Sequence, residues 1–245
     1  MRKYLKYDVK SNMKFFLSTF ICFVILLVSL VSVRTIGSFT SLLEVGSAIN
    51  SIEIILIGVF IMTMIYFVIN TFYKDLYTDR SILTFSLPIS AREFLTAKLL
   101  VINIFFYLLV FLSIFLFYLS GRFMNIWSLI SIIFAMIILN VFSLLIFLFM
   151  QMDRFLFKRK NTVIIIILLI GLIFVGGFFL NRYFLFLSDG SLVRSGDNTL
   201  AFISAYVKVS GRKLLNITGF LYYILTALIL SFFNIKILKN DLDLS

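Results

Sequence analysis

Residues 123–152 read FMNIWSLISIIFAMIILNVFSLLIFLFMQM, thirty positions without a charge between Arg122 and Asp153. An α-helix needs about 20 apolar residues to cross roughly 30 Å of hydrocarbon. Halving the stretch would leave two pieces of about 15 residues, each too short to cross. It is therefore one span, trimmed to about 127–150 because its ends, Met124-Asn125 and Gln151, are polar enough at the two amides to lie at the interfaces. The apolarity is continuous, without the alternation of a barrel strand. In lipid such a segment must satisfy its own amides, and a helix does so.

Working outward, five further uncharged runs appear: Phe15–Val33, Ile54–Tyr73, Leu99–Gly121, Asn161–Asn181 and Leu214–Ile235. Their lengths of 19, 20, 23, 21 and 22 residues each match one crossing. Of all 245 residues, 62% are hydrophobic and 13% charged. Soluble domains hold nearer 45–50% apolar and about 25% charged residues, so a water-soluble globule is excluded. The expected fold is an all-α polytopic membrane protein with six transmembrane helices, forming one domain over residues 1–245. No internal repeat or linker divides it, and the chain has one proline.

The first run is longer than the 7–15-residue apolar segment of a secretory signal and lacks a small-residue cleavage site after it. It is read as a retained span. Lysine and arginine set the orientation: fifteen flank the spans on the side of the N-terminus and seven on the other. Both termini are expected to be cytoplasmic, with Arg212 and Lys213 the local exception.

The net charge is +11, but the basic residues lie beside apolar runs and form no nucleic-acid patch. Histidine is absent, and Cys22 is the single cysteine. That removes most zinc and haem sites, Cys/His catalysis and any intrachain disulfide. No glycine precedes a lysine, so the phosphate loop of ATP-binding proteins is missing. Asp197 lies in a loop, without the second carboxylate at membrane depth that intramembrane hydrolysis needs. No catalytic, cofactor-binding or metal-binding residue is expected in this chain.

The spans carry no ionisable side chain at depth, where ion-coupled transporters keep theirs. Asn103 and Asn140 are polar exceptions, suited to hydrogen bonds between helices. Glu53 stands at the outer edge of the second span. Gly176 and Gly177 suit close helix packing or a kink. Tyrosines at the span ends, among them Tyr73, Tyr77, Tyr118 and Tyr222, fit interfacial belts.

Outside the spans, residues 1–14 read MRKYLKYDVKSNMK. Leu5, Val9 and Met13 form one helical ridge, with Lys6, Lys10 and Lys14 beside it. This suits a short helix at the cytoplasmic headgroups, its ridge dipped in and its ammonium groups on anionic lipid. A disordered basic tail that only sets orientation is the alternative.

The cytoplasmic segment 74–98 reads KDLYTDRSILTFSLPISAREFLTAK. Pro88 disfavours helix at Leu87. Ser90 followed by Glu93 has the capping-box spacing for a new helix starting near Ala91 and running into the third span. Leu83, Phe85 and Leu87 form an apolar centre that is costly in water unless covered, by a partner protein or by the bilayer and neighbouring loops. Segment 182–213, on the outer side, is polar in its first half and partly apolar in Leu200–Ile203 and Ala205–Val207. It is either a lid or dipping helix or an ordinary surface loop.

Within 72–100 the residues FYKDLYTDRSILTFSLPISAREFLTAKLL resemble the Y-x-D-L…L-T-x-x-L-P-[IV]-S-x-x-x-[FIL]-x-x-[AS]-K pattern of bacterial ABC-2-type permeases. The rest of the chain is similar to that family in topology only. The resemblance implies a transmembrane subunit of an ATP-driven exporter in the bacterial plasma membrane. It would pair with a second copy or a homologue, spans two and five near that interface, and dock on two cytoplasmic ABC ATPase subunits. ATP and Mg would be held by those partners.

By the same resemblance, Thr78–Arg92 would form the coupling helix, with Thr78, Asp79, Arg80, Leu83, Thr84, Phe85, Leu87, Pro88 and Arg92 as contact residues. Residues 1–14 would be the interfacial helix, and 182–213 would cover the exit. The charge-free, aromatic-rich interior, with the family's small bacterial members, points to amphipathic toxic or antimicrobial peptides as cargo. Lipid-like or drug-like molecules come next. An autonomous transporter and a membrane scaffold without an ATPase are the competing classes.

Overall fold

The computed structural model describes residues 2–39, 43–78, 90–119, 125–156, 171, 173, 175–177, 185–188, 191–194, 204–209 and 212–242. These are almost entirely helical. Helix α1 spans Arg2–Phe39, α2 Leu43–Tyr77, α3 Ala91–Leu119, α4 Ile126–Leu156 and α5 Ile217–Leu242. Among the described residues, four segments are long and apolar enough to cross a membrane: Gly58–Tyr77, Ala91–Phe115, Ile126–Met152 and Ile217–Lys239. Most of the expected span 161–181 lies outside the described residues, although Gly171, Ile173 and Val175–Gly177 are helical.

The N-terminal segment and the first run form a single helix of 38 residues and not two. Nothing between them breaks it, since the chain has no glycine or proline before Gly37.

The chain divides into two compact units, Met1–Thr71 with Thr96–Asn125, and Phe72–Leu95 with Ile126–Ser245. In the first, α1, α2 and α3 meet around phenylalanines. Phe16 stacks on Phe105 at 4.8 Å between ring centroids, Phe67 lies 4.5 Å from Phe105, and Phe15 stacks on Phe67 at 5.4 Å. Lipid gives apolar helices little reason to associate, so such shape-matched contacts hold them together. Offset aromatic pairs add about 0.5–1.5 kcal/mol each beyond their area.

In the second unit, Phe72 stacks on Phe147 at 4.4 Å, and Phe134 packs against Phe220 and Tyr223. Asn234 in α5 donates to the Leu144 carbonyl of α4 at 3.1 Å and to the Leu230 carbonyl of its own helix at 2.8 Å. Tyr77 donates to the Met150 carbonyl at 3.1 Å.

The expectation of an all-α fold needs one correction. Leu185–Ser188 (β1), Ser191–Arg194 (β2), Tyr206–Val209 (β3) and Arg212–Asn216 (β4) form a four-stranded antiparallel sheet in the order β2-β1-β4-β3. Segment 205–207 is therefore not a dipping helix, and Leu214 opens no span. Leu214 pairs with Val207 in β4, and the helix starts at Ile217. The physical reason is in the sequence. Asp189-Gly190 separates β1 from β2, and Ser210-Gly211 separates β3 from β4. A two-residue connection with glycine second favours a hairpin whose twist matches its strands.

Candidate functional site

Two places concentrate polar chemistry, each within one unit. The first lies where α1 meets the start of α3. Asp8 and Lys98 are both fully buried, and Lys98 Nζ stands 2.9 Å from Asp8 Oδ1. Asn12, one turn along α1, donates to the Asp8 carbonyl at 3.1 Å and to Asp8 Oδ1 at 3.5 Å. Removing two charges from water costs several kcal/mol per ion, recovered only when they pair closely. The contact is charge-assisted and of normal length for one. The sequence marks Lys98 by its place in a basic flank and as the last residue of the permease-like pattern, and it gives Asp8 no role.

The face of α1 turned toward its neighbours carries Asp8, Asn12, Phe16 and Phe23, all buried. On the expected amphipathic ridge, Met13 is exposed, Val9 is half-buried, and Lys6, Lys10 and Lys14 are exposed. Leu5 lies in α1, but its side chain falls outside the described residues.

Toward the same end of α3, within the second unit, the helix start behaves as its sequence dictates. The Glu93 amide donates to Ser90 Oγ at 3.3 Å, and the Ser90 amide donates to Glu93 Oε2 at 3.4 Å. The Phe94 amide closes the first turn on the Ser90 carbonyl at 3.0 Å. This is the reciprocal capping box. Of the residues expected to couple to a partner, Thr78 donates from its hydroxyl to the Lys74 carbonyl, and Arg92 is exposed. Asp79, Arg80, Leu83, Thr84, Phe85, Leu87 and Pro88 lie outside the described residues. Asp75, one turn before Thr78, is fully buried.

The second place is the junction of the sheet with α4 and α5. Lys213 Nζ stands 5.0 Å from the Tyr206 ring centroid and 5.8 Å from that of Trp127. The two rings are 5.3 Å apart. An ammonium at these distances is held by the ring faces. Asn216 fixes the turn from β4 into α5: its Oδ1 accepts from the Gly219 amide at 2.8 Å, and its Nδ2 donates to the Ser204 carbonyl at 2.9 Å.

The polar residues singled out inside the spans behave unequally. Asn140 donates to Met136 of its own helix at 3.0 Å and bridges no helices. Asn234 makes the interhelical bond instead. Gly176 does permit close packing: a Cβ there would stand 3.2 Å from Tyr222 Oη, which donates to the Ile173 carbonyl at 2.5 Å. Among the described residues no cluster of acidic or cysteine side chains could hold a metal ion.

No protein-family model, curated protein or solved structure matches this chain.

Proposed function

We propose that this chain is the membrane-spanning permease subunit of an ATP-driven exporter. Its cytoplasmic segment 78–92 docks on an ABC ATPase, two copies of which serve a pair of permease subunits. The observation that carries the reading is the Leu87-Pro88-Ile89-Ser90 sequence feeding directly into a capped helix. A push on the segment would meet the capped first turn of α3, a helix apolar enough to cross the bilayer. Three sequence features support it: spans without ionisable groups at depth, no nucleotide-binding loop, and an apolar cytoplasmic centre that a partner would cover.

In this scheme ATP and Mg stay on the partner, and closure of the ATPase pair drives the permease pair from inward-open to outward-open. The chain sits in a bacterial plasma membrane with both termini in the cytoplasm. Its cargo is an amphipathic toxic or antimicrobial peptide.

The test uses Leu83→Asp and Phe85→Asp. Both variants should insert normally yet uncouple ATP hydrolysis from export in vesicles holding permease and ATPase. Unchanged export in both would remove the segment from the mechanism. Purification from native membranes should also recover an ATPase in fixed ratio, and full-rate transport by the chain alone on an ion gradient would end the reading.

A further inference from the structure

Helix α4 and the residues leading into β3 line an open recess of about 370 Å³. Ser131, Phe134 and Ile138 line it from α4, and Ser204 and Tyr206 from the other side. Its lining mixes hydroxyl-bearing and apolar side chains. Ser131 lies five residues and Ile138 twelve residues past the helix start at Ile126, about 8 and 18 Å along the axis at 1.5 Å per residue. Ser131 thus stands nearer the start of α4, and Ile138 about two turns further along it.

A cation stands beside one of its walls. Tyr206 belongs both to the recess and to the pair of rings that holds Lys213. No carboxylate among the described residues pairs with that ammonium, and ring faces occupy none of its three N–H donors as hydrogen bonds would. The four strands contain Arg194, Lys208, Arg212 and Lys213 and no acidic residue. The register sets Lys208 directly opposite Lys213.

We propose that this recess binds one anionic phospholipid, its phosphate on Lys213 and an acyl chain along Phe134 and Ile138. The assignment does not depend on ATP-driven export. A lipid fits better than a soluble anion, because Tyr206 belongs both to the cation's ring pair and to the recess, and the apolar walls come from a helix able to cross the bilayer.

Trp127, beside Lys213, is the only tryptophan in the chain, so its fluorescence reports on this site alone. The full-length protein would be placed in phosphatidylcholine bilayers containing small fractions of phospholipid brominated on the acyl chains. Brominated phosphatidylglycerol should quench Trp127 at mole fractions where brominated phosphatidylcholine leaves it nearly unchanged. Lys213→Gln should raise the half-quenching fraction about fivefold, Lys213→Arg should leave it near the wild-type value, and Ala135→Phe, which fills the recess, should also raise it. Equal quenching by the two lipids in the wild-type protein overturns the proposal, whatever the variants do. So does an unchanged half-point in Lys213→Gln. Loss of the preference on adding inorganic phosphate would mark a free-anion site and overturn the lipid assignment.

Discussion

Lys98 and Asp8, ninety residues apart in sequence, form a fully buried ion pair with 2.9 Å between Nζ and Oδ1. The pair joins the N-terminal turns of α1 to α3 a few residues past its cap. Removing one partner strands the other charge out of water, which costs about 3–5 kcal/mol. Asp8→Asn and Lys98→Met should each lower the thermal midpoint in detergent sharply, and Asp8→Leu with Lys98→Met should recover much of the loss. A double variant as unstable as the sum of the singles would show that the two residues do not act as a pair.

Ser90 should matter locally. Ser90→Ala removes the side-chain acceptor from the Glu93 amide, worth about 1 kcal/mol. Hydrogen exchange should quicken at Glu93 and Phe94 and stay unchanged in the middle of α3. Protection unaltered at those two amides would deny the cap its role.

Gly219 should reverse an ordinary rule. Glycine to alanine inside a helix usually stabilises by about 1 kcal/mol. Here a Cβ would lie 2.8 Å from Cγ of Asn216, the residue that caps the same helix. Gly219→Ala should therefore destabilise, and Asn216→Gly should make the alanine tolerable. Thermal unfolding of the two singles and the double decides it.

Two asparagines of similar appearance should behave differently. Asn234→Leu breaks the bond from α5 to the Leu144 carbonyl, and hydrogen bonds between membrane helices are worth about 0.6 kcal/mol on average. Asn140→Leu should be neutral or stabilising, because its amide bonds only its own helix and its buried Oδ1 accepts nothing. Unfolding of the two variants in mixed micelles gives the comparison, and an equal loss in both would refute it.

Much of the helical scaffold was legible because charge and hydrocarbon exclude each other over long runs. Ser90 and Glu93 likewise act through neighbours three residues apart, so their spacing alone announced the cap. Asp8 with Lys98 had no such signal. Each sits in a charged flank that orientation already explains, and their meeting depends on how α1 packs. The sheet was written in Asp189-Gly190 and Ser210-Gly211, but four-residue strands leave too short an alternation to stand out beside spans of twenty. The start of α5 was misplaced because Leu214 and Leu215 are as apolar as the helix that follows. Only the bonds of Asn216 mark where the backbone changes conformation.

That change happens without an intervening residue: β4 ends at Asn216 and α5 begins at Ile217. Strand and helix are locked on either side of one amide side chain, so the joint has no slack. Whatever grips the sheet therefore holds the handle of a lever whose shaft is α5. A ligand that tilts the four strands by a few degrees would swing the far end of a 26-residue rod.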